Sequence, residues 1–343
     1  MWILHKIISK LSKVPLRKLV GITLLVILAS SFLIRLIEPE TFPSYFDALW
    51  WTMTTIVTVG YGDFFPTSMI GRLFTMLLLY TIGIGAMGLI IGKIFESFSM
   101  YRKLKEEGKL KYSGSGHYIL IGSSKEKLQN VLEEILCSEE KAELVVIDHG
   151  ERCPIEHEQV HFISGDPAAE EILLKANILE SKSVSIFTDE RIELSEYADG
   201  KTLLIASRVE YISKKFHKSI YTIVEIMKEH HISLFEYAKV DEFVLAKESV
   251  SRLMAQAAIY PGSSRLFKKL LSNTDEENLY EIHKKPHWQT YKQAAMELFD
   301  LGATLISDGS DLDIAKRSNE PIADGSKLFV ICDEDTHKKI LDK

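Results

Sequence analysis

The chain has 343 residues, enough for two or three domains. Its 41 Lys and Arg against 48 Asp and Glu give a net charge of −7, which leaves no basic footprint of the kind nucleic-acid binding needs. The cysteines, Cys137, Cys153 and Cys332, are odd in number, widely spaced and form no CxxC pair. Neither a disulfide framework nor a zinc site is indicated, and reduced thiols are expected.

Two apolar runs come first in chain order. Residues 19–37 carry one charge, Arg35, close to an end, and residues 73–92 carry none. Each has about the ~20 residues that cross a bilayer. A secretory signal is excluded for the first run, because no small-residue cleavage site follows it and a second span comes soon after. Beyond residue 112 no uninterrupted apolar run reaches spanning length. Lys6, Lys10, Lys13, Arg17 and Lys18 precede the first run without an acid, whereas the 38–70 loop holds Glu38, Glu40, Asp47 and Asp63 and no Lys or Arg. Six basic residues against three acids follow the second run, over 93–112. The positive-inside rule then predicts a multi-pass protein of the cytoplasmic (inner) membrane, both termini cytoplasmic, with the loop outside.

Within that loop, SYFDALWWTMTT (44–55) predicts a short helix: Ser44 can cap it, and Tyr45, Leu49, Trp50 and Met53 share helical spacing. Trp50 and Trp51 suit the membrane–water boundary. Next comes Thr58-Val59-Gly60-Tyr61-Gly62-Asp63. Irregular backbone at membrane depth is tolerated only where it is buried in protein or lines a cavity, so the loop is expected to re-enter the membrane and line water or ions. A dehydrated K⁺ needs a ring of oxygens, and backbone carbonyls supply them without a full charge that would trap the ion. Successive carbonyls point one way only if the dihedrals alternate in hand, which Gly60 and Gly62 permit. The Thr58 hydroxyl adds an oxygen layer, and Tyr61 is expected to pack behind the strand. Thr-Val-Gly-Tyr-Gly is the carbonyl filter sequence of K⁺ channels.

Pore helix, TVGYGD, Pro66 and a glycine-bearing inner helix together resemble a two-transmembrane prokaryotic potassium channel. The resemblance implies a homotetramer, since such a filter takes four loops. It also implies a gating hinge in the inner helix at Gly83 or Gly85, although small residues there equally serve close helix packing. No helix carries Arg at every third position, so no voltage sensor of that type is expected. Glu96 lies near the cytoplasmic mouth, where an acid concentrates cations or simply ends a solvated helix.

YRKLKEEGKLKYSGSG (101–116) reads as a joint whose charged half suits a lipid headgroup surface or a helix end, and whose SGSG is a flexible tether. After it, strand and helix alternate. Apolar runs at 117–122, 143–148, 160–166, 183–189, 219–226 and 242–247 make six strands, with helices at 124–139, 168–178 and about 192–213. This spacing predicts a parallel doubly wound sheet. Helices over 247–262 and 263–273 then leave the sheet as a natural dimer element.

HYILIG, VVID, ISGDP with LLKANI, and SRLMAQAAI resemble an RCK (regulator of K⁺ conductance, TrkA-N/TrkA-C-like) domain. GATLISDGSDLDIA and PIADGSKLFVIC resemble its smaller C-terminal subdomain. The expected organisation is a membrane α-helical pore domain (1–100), a linker (101–116), an α/β Rossmann-like N-lobe (117–247), crossover and dimerisation helices (248–277), and a small α+β subdomain (278–343). It is similar to calcium-gated prokaryotic K⁺ channels, in which RCK dimers form a gating ring under the pore. The implied function is ligand-gated, passive K⁺ transport. The alternative is a membrane-anchored nucleotide- or ion-sensing protein that does not itself conduct. An enzyme is not expected: no separate substrate domain with a His or Lys catalyst is visible, and fold alone does not imply chemistry.

Two effector sites are candidates. A dinucleotide fold carries GxGxxG after its first strand, but here Gly122-Ser123-Ser-Lys-Glu-Lys127 keeps only the first glycine. Asp148 is placed to meet a ribose, and Asp166 stands in the family's GD pattern, so an adenine nucleotide (NAD, ADP or ATP) is one expected ligand. Calcium is the other. Calcium-gated relatives use an acid after the fourth strand and two alternating acids on the fifth, and the matching positions are Asp189 or Glu190 and Glu225. Met227 replaces the second alternating acid, and Ca²⁺ wants six to eight oxygens.

Overall fold

The computed structural model describes residues 14–122, 124–273 and 277–342. It divides into two compact units, one up to Leu104 and one from Lys105, and each is described by itself.

The first unit is helical. Helix α1 (Leu16–Ile37) buries Leu19, Thr23, Ile27, Ser30, Ser31 and Ile34, which recur every three or four residues along one face. Its other face leaves Ile22, Leu25, Leu28 and Leu36 exposed, as a lipid-facing helix does. The hydroxyls of Thr23 and Ser31 donate back to the carbonyls of Leu19 (2.9 Å) and Ile27 (2.8 Å), so neither meets hydrocarbon unpaired. Helix α2 (Tyr45–Ile56) begins as the sequence predicts: the Ser44 hydroxyl accepts from the Asp47 amide, and the Asp47 carboxylate accepts from the Ser44 amide, a closed capping box. Helix α3 runs from Met69 to Glu106, well past the 73–92 apolar run. It is π-helical over Thr75–Ile84 and α-helical on either side. Both α1 and α3 are long and apolar enough to cross a membrane. Ile27, Ile34, Phe42, Ala48, Trp51, Ile56 and Leu79 form the core of this unit.

The second unit opens on a parallel sheet: β1 (Tyr118–Ile121), β2 (Leu144–Asp148), β3 (Val160–Ser164), β4 (Ser183–Ile186), β5 (Thr222–Ile226) and β6 (Glu242–Leu245), in spatial order β3-β2-β1-β4-β5-β6. Order reverses beside β1, the switch point where doubly wound sheets hold ligands. Alternate residues feed two cores. Leu120, Leu144, Val146 and Phe162 pack with Leu128 and Leu132 of α4 (Lys125–Ser138). Ile119, Ile121, Val145 and Ile147 pack with Leu173 of α5 (Glu170–Lys175) and with Ile205 and Val209 of α6 (Ser195–Phe216). Each large aliphatic side chain so buried contributes about 1.5–3 kcal/mol.

Two helices follow, α7 (Ala246–Ile259) and α8 (Ser263–Leu271), neither with a buried residue. Val250, Met254, Ile259, Leu266 and Leu271 stand exposed on them. A small α+β part closes the chain: strands β7 (Glu277–His283), β8 (Thr304–Asp308) and β9 (Lys327–Asp333) in antiparallel order β7-β9-β8, with α9 (Tyr291–Leu301) and α10 (Glu334–Asp342). Trp288, Tyr291, Leu298 and Val330 are among its core residues.

The joint differs from the flexible tether that its Gly and Ser content predicts. It is helical to Glu106, and the remainder is strapped along the second unit. Gly108 O accepts from the Ser164 amide (3.2 Å) and from Lys175 Nζ (2.8 Å). The Tyr112 amide donates to Lys175 O (3.0 Å), Asn177 Nδ2 to Gly114 O (2.7 Å), and the Gly116 amide to Glu180 O (2.7 Å). Gly108, at φ +64°, lies so close that a Cβ would stand 2.3 Å from the Ser164 nitrogen. Glycine here serves both a left-handed turn and a close contact.

Candidate functional site: an alternating loop and a cleft at the sheet edge

After the capped helix α2 the backbone turns through 58–62. Thr58, Gly60 and Gly62 have φ of +60°, +56° and +75°, whereas Val59 and Tyr61 stay out of the left-handed region. This is the alternation in hand that stacked carbonyls require. Positive φ at Thr58 is costly for a β-branched residue. It is held because the amides of Thr58, Val59 and Gly60 all donate back to α2, to Thr55 O (3.1 Å) and Thr54 O (2.8 and 3.2 Å). Among the described residues, no hydrogen bond ends on the carbonyls of Thr58, Val59, Gly60 or Tyr61.

Side chains clamp the strand from behind. The Tyr61 ring stacks on Trp50 (centroids 5.6 Å apart, 3° between planes), and Trp50 Nε1 donates to Asp63 Oδ2 (2.8 Å). The sequence reading gave Trp50 a place on the helix face and at the membrane boundary. Its tighter role comes from α2 meeting Asp63 thirteen positions later.

Glu38, read from sequence simply as an acid of the outer loop, is 6% exposed. It accepts from the amides of Thr67 (2.9 Å) and Ser68 (2.8 Å) and from the hydroxyls of Ser68 (2.6 Å) and Thr41 (3.0 Å). Burial alone would raise its carboxyl, but the donors from Ser68, Thr67 and Thr41 outweigh burial and bring the pKa to about 2. Gly71 makes the approach feasible, since a Cβ there would stand 2.1 Å from Glu38 Oε1.

The two hinge candidates occupy different surroundings. A Cβ on Gly83 would stand 2.7 Å from Ile56 Cγ1, so this glycine is fully accounted for by close packing on α2. Gly85 has nothing within 4 Å of its Cβ position and follows the π segment directly.

In the second unit the candidates gather at the carboxyl edge of the sheet. Gly122 has φ +62°, and among the described residues the neighbour at its Cβ position is Phe187 O at 3.8 Å, so the backbone can be approached there. Ser123 lies outside the described residues. Asp148 ends β2, with Oδ2 accepting from the Gly150 amide (3.2 Å) and Oδ1 3.9 Å from Arg191 Nη2. Asp166 is exposed and closes its own turn by accepting from the Ala168 amide (2.9 Å).

The three acids considered for calcium do not converge. Asp189 is engaged by Arg191 Nε (2.8 Å) and Lys201 Nζ (2.7 Å), and the Arg191 contact with its neighbours holds its carboxyl far below the usual range. Glu190 and Glu225 do meet, but on Lys127 Nζ, 2.9 Å from each. Among the described residues no group of three or more His, Cys, Asp or Glu side chains could hold a metal ion. With an ammonium already between the carboxylates, this donor set does not fit Ca²⁺.

Residues 22–100 match the ion channel family and residues 119–246 match the TrkA-N domain. The chain joins an ion-channel pore to a TrkA-N domain. This pore–TrkA-N chain is similar to the "Calcium-gated potassium channel TvoK" of Thermoplasma volcanium, 29% identical over 81% of this chain and 80% of that one. It is 24% identical to "Potassium channel protein 1" of Methanocaldococcus jannaschii over 74% of each. Among solved structures, the "GsuK Channel" shares its fold with a TM-score of 0.50 at 17% identity, covering 71% of this chain. The chain spans 64% of that structure's length.

Proposed function

We propose that the chain is a potassium-selective channel of the cytoplasmic membrane, a homotetramer gated through cytoplasmic RCK lobes. One observation carries this reading: the alternating φ over Thr58–Gly62, fixed from behind by α2, with the carbonyls left unpaired. Carbonyl oxygens so placed in four copies replace the hydration shell of K⁺. The potassium channels among its relatives support the reading, and so do the exposed apolar faces of α7 and α8, which suit pairing of lobes into a ring.

Gating is assigned to α3, bending at Gly85 beside the π segment, a helix form that recurs at functional sites. The charge pattern supports a cytoplasmic location for both termini. The effector is assigned to the carboxyl edge of the six-stranded sheet, with an adenine nucleotide as its class. Gly122 would admit a phosphate to the backbone and Asp148 would receive a ribose. Shifting a gate from 1:99 to 99:1 takes about 5.5 kcal/mol of differential binding, or about 1.4 kcal/mol for each of four sites, so a weak site suffices.

The test is reconstitution of the purified full chain into planar bilayers. K⁺ currents that exclude Na⁺ are expected, with open probability responding to ADP, ATP or NAD and the response abolished by Asp148→Ala. A chain that inserts as a tetramer yet carries no K⁺-selective current would be a sensor that does not conduct. Currents unmoved by any nucleotide would remove that ligand class.

A further inference from the structure

The strap between Glu106 and β1 covers a buried group that conduction does not use. His117 has no exposed surface. Its Nε2 lies 2.9 Å from the Ala176 carbonyl oxygen, so that nitrogen carries the proton and donates it. Nδ1 is buried and, among the described residues, has no partner. An imidazolium here would bring a second N–H with nothing to receive it. The cover over the ring is Tyr112 of the strap, with centroids 4.4 Å apart. Tyr112 is 8% exposed, its hydroxyl donates to the Glu143 carboxylate, and its ring also meets His161 of β3 at 5.4 Å.

The charged groups around this cluster do not undo the preference for a neutral ring. Burial holds His117 below the ordinary histidine value. The Ala176 carbonyl and Glu143 favour its charge, and His161 opposes it. Burial likewise lowers His161, whose Nε2 donates to Leu110 O at 3.1 Å, with Lys105 and Lys175 also against its charge and Glu143 in favour. Lys175, which holds Gly108 O, is lowered by burial and by Lys109.

We propose that the strap 107–116 is an acid-released clasp: docked, it keeps His117 neutral beneath Tyr112, and proton uptake at His117 accompanies the lifting of Tyr112 from the lobe. The sign follows from linkage. A free histidine titrates near 6.5 and the docked one lower, so docking keeps its full strength above about pH 6.5 and weakens as pH falls below it. One proton weakens docking by at most about tenfold per pH unit. Because the strap continues the chain of α3, its release lengthens the free backbone that follows that helix, and any effect of acid on current rests on the channel reading.

Hydrogen exchange of the full chain in detergent, corrected for intrinsic rates and followed by mass spectrometry between pH 7.5 and 5.0, tests the clasp without any conduction. Protection over 107–116 is expected to fall as pH drops below about 6.5 in the unaltered chain, by no more than about thirtyfold at pH 5.0. His117→Gln, whose amide can still donate to Ala176, is expected to flatten the dependence, and His161→Gln to leave most of it. Tyr112→Leu, which removes the cover and leaves the ring in place, should exchange quickly at every pH. Protection in the unaltered chain that ignores pH overturns the proposal. So does a pH response that survives in His117→Gln or in Tyr112→Leu.

Discussion

Lys127 Nζ stands 2.9 Å from Glu225 Oε1, joining the first turn of α4 to the end of β5 across the cleft. Glu225 is 7% exposed, and its other oxygen accepts from the Thr188 amide (3.0 Å). Lys127 occupies the position of the third glycine in the dinucleotide fingerprint. One of the two substitutions that remove the fingerprint also supplies the cleft with a cation of its own.

Lys127→Gln should therefore leave Glu190 and Glu225 facing each other without a counter-charge. The folded lobe is expected to lose about 1–3 kcal/mol, discounted because Lys127 is partly exposed. Calorimetric titration with Ca²⁺ is expected to show binding in Lys127→Gln that Glu225→Gln then abolishes, and no Glu225-dependent heat in the unaltered chain. Calcium heat in the unaltered chain that disappears with Glu225→Gln would contradict this arrangement.

Trp50→Phe keeps an aromatic face for Tyr61 but removes the donor to Asp63. A lost hydrogen bond to a charged group is worth about 1.5–3 kcal/mol. Sustained K⁺ currents should decay faster than in the unaltered channel, and the K⁺ over Na⁺ preference should fall. Currents with unchanged time course and selectivity would show that the clamp is dispensable.

Glu38→Gln turns an acceptor-only group toward donors from Thr67, Ser68 and Thr41. A loss of about 2–3 kcal/mol in the pore unit is expected, read as a lower melting point of the full chain. For the native carboxylate the folded pKa is depressed to about 2 from 4.5. Its contribution is thus complete above about pH 4.5 and is lost as pH falls towards 2. The melting difference between native and Glu38→Gln chains should stay constant from pH 8 to pH 5 and shrink only in stronger acid.

Gly83→Ala and Gly85→Ala should part company. The first must displace Ile56, and overpacking of this kind costs about 1–3 kcal/mol. The second meets nothing, so the pore should remain as stable while open probability falls as the bend stiffens. Equal effects of the two on open probability, at equal stability, would detach the hinge from Gly85.

Much of this architecture is legible in short windows of sequence. The six strands announce themselves as apolar runs between helical segments, because burial on both faces demands continuous Val, Ile and Leu. The alternating backbone of Thr58–Gly62 is legible because few residue types permit it. Illegible were contacts set by long-range closure. Glu38 meets Thr67 and Ser68 about thirty residues on, and Lys127 meets Glu225 nearly a hundred on. Neither pairing leaves a local signal. The strap misled for a different reason: SGSG has the composition of a free linker, and only the third dimension shows that Tyr112 is buried and that Gly108 and Gly114 permit close approach.

The π segment within α3 has a consequence for how the helix tolerates change. Elsewhere along an α-helix, removing one residue turns everything beyond it by about 100°. Over Thr75–Ile84 the wider turns already contain more residues than an α-helix of the same rise would need. The helix therefore stores surplus chain in its middle. A single-residue deletion there can be absorbed by tightening, so that Gly85 and the turns below keep their bearing, whereas the same deletion one turn beyond Gly85 swings Glu96 and its neighbours to another side.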